Sequence, residues 1–337
     1  MEGLEEKNLQ VPRGFTYHYY VTPASAKGKD SSKPALLIQH GWPDSAHLWT
    51  QMLPVLNTLP NRLLIPDMLG YGGTSKPTDP KQYAFNAMTQ DLIELVDAEG
   101  IDKVVSVGHD WGAGSAQRFY NFHSDRTLAV ILLNVAYLVP NKEQPFDLDG
   151  VNAMTKQFFG YPIYAYWYTF TAPDAPELFN HNLDRVWEAM QSGKPEDMKA
   201  MFCEEDGFRK YLNDKSIPSF KLKPHGYDEQ LKEHWKSMIS AGGFEAPFCW
   251  YRCMVDNHQW ESDKMIPDED IKIDVPVLFI ACTGDIVCRP DMISVGQGAG
   301  LLPDLKVETF ESGHWIPLEK PNEVANAIKA FVGEKGL

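Results

Sequence analysis

Val104-Val105-Ser106-Val107-Gly108-His109-Asp110-Trp111-Gly112-Ala113-Gly114-Ser115-Ala116 is the stretch on which the reading of this chain turns. Val104 to Val107 is a short, nearly continuous apolar run, the form taken by a strand buried on both faces of a sheet. Small residues then crowd the chain at 108, 112, 113 and 114, with one acid between them. A tight strand-to-helix turn needs small residues, because the helix start passes close to the strand it follows. Such a turn presents its central side chain, here Asp110, above the sheet edge. Two readings of Asp110 stay open at this level: a reactive carboxylate, or a helix N-cap, a common use of aspartate.

Working outward, the same buried-strand form recurs. Upstream lie Ala35 to Gln39 (ALLIQ) and Arg62 to Pro66 (RLLIP); downstream lie Leu128 to Val135, Val275 to Ala281 and Leu305 to Phe310. Thr16 to Thr22 is β-rich and reads as an early edge strand. Helical patterns separate the strands at His47 to Leu56, Ala84 to Ala98 and Asn322 to Val332. Strands alternating with helices predict an α/β fold, a mostly parallel central sheet flanked by helices. From about Val139 to Trp250 the alternation stops, and Tyr, Trp, Phe, Pro and Asp accumulate. We therefore expect a core domain from 1–138 and 251–337, interrupted by a mainly helical lid at 139–250.

Composition narrows the class. Lys+Arg number 31 and Asp+Glu 46, a formal net charge of −15. An acidic surface repels phosphate backbones and anionic lipid, which argues against nucleic-acid partners and stable membrane insertion. No run of about 18 apolar residues suggests a membrane span, and the acidic start MEGLEEKNLQ lacks the basic and apolar regions of a signal peptide. The five cysteines form no dense framework, consistent with reduced thiols packed as small hydrophobes in a cytoplasmic protein. They have no zinc-like spacing, and no G-x-G-x-x-G cradle for a dinucleotide is present. No metal and no cofactor beyond water is expected.

In a parallel sheet the chemistry lies just past the carboxyl ends of the strands. Asp110 follows one strand end. Asp285, in Cys282-Thr283-Gly284-Asp285, follows another, and His314, in Glu311-Ser312-Gly313-His314-Trp315, follows a third. Each residue alone has a bland reading, as turn former or structural histidine. Together they give the chain order nucleophile, acid, histidine of the α/β-hydrolases, with Asp110 where many relatives carry serine. His40-Gly41-Trp42-Pro43 lies where that fold places its oxyanion loop, so the backbone N–H groups of Trp42 and Trp111 form the expected donor pair.

On these residues the chain resembles the soluble epoxide hydrolases of the α/β-hydrolase superfamily. The resemblance runs from His40-Gly41-Trp42-Pro43 through Asp67-Met68-Leu69-Gly70-Tyr71-Gly72 and Gly108-His109-Asp110-Trp111-Gly112 to Gly313-His314-Trp315. It implies two lid tyrosines. Pro247-Phe248-Cys249-Trp250-Tyr251-Arg252 looks like the family's Trp-Tyr-Arg segment and implies Tyr251. The second follows a family pattern of Tyr with Phe four residues on and Pro seven on, which Tyr166, Phe170 and Pro173 match. Tyr161 and Tyr164 do not match, because Ala165 and Tyr168 stand at their plus-four positions.

A carboxylate nucleophile also decides the reaction class. Attack on an ester would leave an anhydride, whereas attack on a strained or activated sp³ carbon leaves an alkyl ester that water can hydrolyse. The expected chemistry is epoxide opening to a vicinal diol, with a small apolar epoxide and water as partners. The competing reading is a haloalkane dehalogenase, which shares the aspartate, the following tryptophan and the histidine; the matched tyrosine pair separates the two. A ligand-binding protein on a hydrolase scaffold would have no need of Asp110, Asp285 and His314 together. The aromatic lid suggests an apolar, lipid-like or aryl substrate. Nothing in the sequence distinguishes a monomer from a homodimer.

Overall fold

A computed structural model describes all residues, Met1–Leu337. Eight strands form one sheet in the order β1-β2-β4-β3-β5-β6-β7-β8. They are β1 Glu5–Gln10, β2 Thr16–Val21, β3 Ala35–Gln39, β4 Leu63–Pro66, β5 Val104–His109, β6 Thr127–Leu133, β7 Val277–Cys282 and β8 Leu305–Phe310. β2 runs antiparallel to both neighbours, and every pairing from β4 to β8 is parallel. Every residue of β3, β4, β5 and β7 is buried, as continuous apolar runs require when helices cover both sheet faces.

Two expectations change. Thr16 to Val21 is not the edge: β1 pairs outside it in register, Glu5 with Val21 through Gln10 with Thr16. β1 reads EEKNLQ and is largely wet; main-chain pairing and the side-chain pairs Glu6–His18 and Lys7–Glu99 hold it, and no hydrophobic pattern announces it. The helix expected at His47 to Leu56 is a 3-10 segment, Ala46–Met52, followed by one α-turn, Leu53–Leu56. Pro54 lacks the N–H that a continuous α-ladder would draw on.

Between β6 and β7 the chain forms helices and one isolated bridge, Ser192 to Leu222. Their core is aromatic: the Phe170 ring lies 5.2 Å from Phe179, 5.4 Å from Phe208 and 4.9 Å from Phe248. This helical lid is pinned to the core. Trp235 Nε1 donates to Pro43 O at 2.9 Å, Trp250 Nε1 to Leu69 O at 3.0 Å, and Lys223 Nζ pairs with Glu319 at 2.5 Å. The position expected to end the lid, 250/251, falls inside a continuous helix, Glu245–Val255.

Asp67, just past β4, ties three segments together. Its carboxylate accepts from Ala46 N and Gly73 N and meets His18 Nδ1, each at 2.8 Å. Burial opposes its ionisation, but His18, His40 and these donors prevail and hold its pKa at about 2. Asp67→Ala strands all three donors and is expected to cost about 3 kcal/mol by urea unfolding. A loss below roughly 1 kcal/mol would mean that water replaces the carboxylate. A carboxylate with a depressed pKa stabilises the fold above its unfolded pKa of about 3.9 and loses that contribution as pH falls through the folded value. The variant should therefore be less sensitive than the parent protein to acid between about pH 4 and 2.

Candidate active site

The core candidates stand just beyond the carboxyl ends of strands: the His40 loop after β3, Asp110 after β5, Asp285 after β7, His314 after β8. Asp110 has φ 53 and ψ −127 and precedes the helix Trp111–Phe122. It holds the N-cap position yet its side chain makes no capping bond, so the capping reading fails. This backbone conformation costs a non-glycine residue about 1–3 kcal/mol and persists only where the surroundings enforce it. They do so by close packing. A Cβ on Gly108 would fall 2.0 Å from Gly112 O, and one on Gly112 would fall 2.2 Å from Gln39 O. The small residues of the quoted stretch are thus what bring strand, turn and oxyanion loop into contact.

The Trp42 N–H donates to Asp110 Oδ1 at 2.7 Å, and the Trp111 N–H faces the same carboxylate. A Cβ on Gly41 would lie 2.3 Å from Oδ1, so only glycine lets the loop approach this closely. His40 and Pro43 hydrogen-bond elsewhere than Asp110 and hold the loop in shape. His40 Nε2 accepts from Met68 N at 2.9 Å, which leaves Nδ1 as the protonated nitrogen, 2.9 Å from Gly41 O. Pro43, joined to Trp42 by a cis peptide bond, receives the lid through Trp235.

His314 lies between two carboxylates. Its Nδ1 meets Asp285 Oδ2 at 2.6 Å and its Nε2 lies 3.4 Å from Asp110 Oδ2. Asp285 is spent on orientation: Oδ1 accepts from Val287 N and Cys288 N at 3.1 and 2.9 Å, and Oδ2 also accepts from Asn134 Nδ2 at 2.8 Å. Burial opposes its ionisation, but His314 and these donors hold its pKa at about 2. Burial works against charge on His314 too, yet the two acids raise its pKa well above the ordinary value. Asp110 is likewise held below the usual carboxylate range, its burial outweighed by His314.

Above Asp110 a cavity of about 620 Å³ is lined mainly by hydrophobic residues, with Trp111, Tyr164, Tyr166 and Trp167 among them. The Tyr251 ring packs against this lining, 5.8 Å from Tyr166 and 5.2 Å from Trp111. Burial first, and then the Asp110 charge together with other nearby groups, raise both phenols well above their ordinary pKa. The neighbouring tyrosines are placed differently. Tyr161 donates to Ile286 O, Tyr168 reaches Asp149, and Tyr164 stacks on Trp167 at 4.5 Å.

Three residues at the site escaped the sequence reading. Asn134, with φ 66, donates to both Asp285 and Gly313 O. The expected strand to Val135 spans it, whereas β6 ends at Leu133, so Asn134 is a polar residue immediately after a buried run, the same signal as at Asp110. Asp44 accepts from Trp315 Nε1 at 3.1 Å, and burial pushes its carboxyl up to about 7; it follows the oxyanion loop directly. Cys288 lines the cavity. Its sulfur lies with the Asp285 and His314 donor atoms within 4.8 Å of one another, a set that could hold a thiophilic metal. The spacing of these residues in sequence does not announce the trio.

The strand order, the strained turn and the acid–histidine pair define an α/β-hydrolase, and the alpha/beta hydrolase fold family matches residues 34–321. Within that superfamily the chain belongs to the epoxide hydrolases. It is 30% identical over 308 residues to epoxide hydrolase A of Mycobacterium tuberculosis, covering 89% of this chain and 90% of that protein. It is 28% identical to the bifunctional epoxide hydrolase 2 of Rattus norvegicus, of which it spans only half, 50%. Among solved structures, a mutant of a Vigna radiata epoxide hydrolase superposes with a TM-score of 0.75 at 26% identity, over 99% of this chain and 100% of that one. The chain is a hydrolase, and none of its helices is long and apolar enough to cross a membrane.

Proposed function

We propose that the protein converts apolar epoxides to vicinal diols through an alkyl ester on Asp110. The observation that carries this reading is the asymmetry of the Asp110 carboxylate. Oδ1 accepts the Trp42 N–H, while Oδ2 faces His314 beside a cavity lined by Tyr166. Oδ2 attacks a ring carbon, and the C–O bond breaks toward the epoxide oxygen. Tyr166 and Tyr251 supply the hydrogen bonds and the proton that this oxygen needs. Oδ1 is then the ester carbonyl, already hydrogen-bonded to the Trp42 N–H, which with the nearby Trp111 N–H would stabilise its tetrahedral oxyanion.

The second half of the reaction follows from charge. In the resting site two carboxylates keep the proton on His314. Alkylation neutralises Asp110, one of those two anions, so the imidazole gives up its proton to solvent more readily once the ester exists and regains it from solvent when the Asp110 carboxylate is freed. It then takes a proton from water attacking the ester, with Asp285 holding the ring. Acidification is therefore expected to slow ester hydrolysis before ester formation. Acid-quenched samples taken at steady state should carry more alkylated Asp110 as pH falls, and an unchanged fraction across the range would sink this account.

Tyr166→Phe and Tyr251→Phe are each expected to slow epoxide opening by a factor on the order of 10², and the double variant should leave little turnover. Loss of under threefold in both single variants would remove the tyrosines from the proton transfer. We take residues 139–250 as the lid that carries Tyr166, with Tyr251 on the helix by which the lid rejoins the core. The apolar cavity supports lipid-like or aryl substrates, and the free cysteines support a cytoplasmic setting.

A single turnover in ¹⁸O-labelled water, with protein in excess over styrene oxide or over a 1-haloalkane, tests the whole scheme. The expected result is unlabelled diol from the epoxide, with label entering the Asp110 carboxylate. Turnover of the haloalkane alone would make the protein a dehalogenase with the same nucleophile. Label passing directly into diol would remove Asp110 from the nucleophile role.

A further inference from the structure

The indole N–H of Trp167 is buried and donates to nothing in the protein. Natural structures strand few such donors, and reactive centres are one place where they persist. The Trp167 ring lines the cavity that also holds Asp110 and Tyr166. It cannot swing away, because Tyr164 stacks on it at 4.5 Å and Phe146, Trp111 and Tyr251 crowd it at 5.4, 5.6 and 5.4 Å. Tyr166, its chain neighbour, stands edge-on with ring centroids 6.3 Å apart. The indole and the Tyr166 phenol thus stand side by side on one wall of the cavity.

We propose that Trp167 is a positioning residue for Tyr166, its N–H closing onto the phenol oxygen as that oxygen surrenders its proton to the opening epoxide. The inference rests on the ester mechanism above. In that step Asp110 Oδ2 forms the new C–O bond, the ring C–O electron pair moves to the epoxide oxygen, and the Tyr166 proton follows it. A bare phenolate in this dry site would be costly; a charge-assisted N–H···O⁻ bond offsets that cost, and the proton of the indole stays on nitrogen. When water later opens the ester, one of its protons passes through His314 to the second diol oxygen. The other, left on the Asp110 carboxyl, restores the phenol.

The test measures ester formation alone, in a His314→Gln background where hydrolysis is blocked, by acid quench and mass analysis of the Asp110 peptide with excess styrene oxide. Trp167→Phe is expected to slow ester formation on the order of tenfold. In a Tyr166→Phe background the same change should have no further effect, because the phenol it serves is gone. Packing is controlled by placing β-(3-benzothienyl)alanine at 167, which replaces N–H by sulfur at nearly the same shape and should give the same tenfold loss. Ester formation at the background rate in the benzothienyl protein would overturn the proposal. So would a Trp167→Phe loss that multiplies with that of Tyr166→Phe, the behaviour of a residue that only packs. Failure of the parent reading looks different: no ester on Asp110 in His314→Gln itself.

Discussion

Asp110→Asn is expected to lower turnover of an epoxide by a factor on the order of 10⁵ while leaving the protein folded. An amide oxygen can still accept the Trp42 and Trp111 N–H groups, so the strained turn keeps its partners, but a neutral amide is a poor nucleophile at carbon. The change also removes one of the two anions beside His314, so the pKa of that ring should drop toward its ordinary value, a shift NMR can follow. Diol formation and thermal unfolding, measured side by side, check the expectation. More than about 1% residual activity in a correctly folded variant, on a scale where losing the nucleophile removes several orders of magnitude, would place the nucleophile elsewhere.

His314→Gln should separate the two halves of the reaction. Ester formation needs the Asp110 carboxylate and the lid phenols, and all remain. Ester hydrolysis needs a base within reach of water beside the acyl carbon, and loss of such a base costs about 10²–10⁴-fold. The variant is thus expected to consume epoxide up to one equivalent, release almost no diol, and gain the substrate's mass on Asp110. Steady diol release at a rate near that of the parent protein would show that another group activates the water. Asp44, buried and pushed to about 7 within electrostatic reach of Asp110 and His314, is the first residue that such a result would bring into question.

Much of the fold was legible because a parallel sheet covered on both faces leaves a plain mark, short runs of apolar residues with no alternation. β3 and β8 begin and end where those runs do, and β4, β5 and β7 lie within a few residues of them. β1 left no mark, since its wet side chains show no hydrophobic alternation and it is held by main-chain bonds to β2 and by the pairs Glu6–His18 and Lys7–Glu99. The catalytic candidates were legible for a topological reason. In this fold the strand ends meet at one edge, so polar residues directly after buried runs converge although Asp110 and His314 lie far apart in sequence. Asn134 carries the same signal, but an apolar run that continues to Val135 hides the strand end at Leu133.

What the sequence determined by itself was the chemical inventory and its order: a carboxylate in a glycine-tight turn, then an acid, then a histidine, with an aromatic insertion before the last two. Spacing and residue type are enough for that, since strand burial, turn tightness and helix starts are local properties. Only the tertiary structure decided what each group is worth. It stripped Asp110 of the capping role, left Tyr166 lining the cavity while Tyr161 was spent on a main-chain carbonyl, and set His314 between two anions. It also brought Cys288 and the unspent N–H of Trp167 to the cavity wall. Orientation, desolvation and charge neighbourhood arise from segments that meet across the fold, and a linear pattern does not encode them.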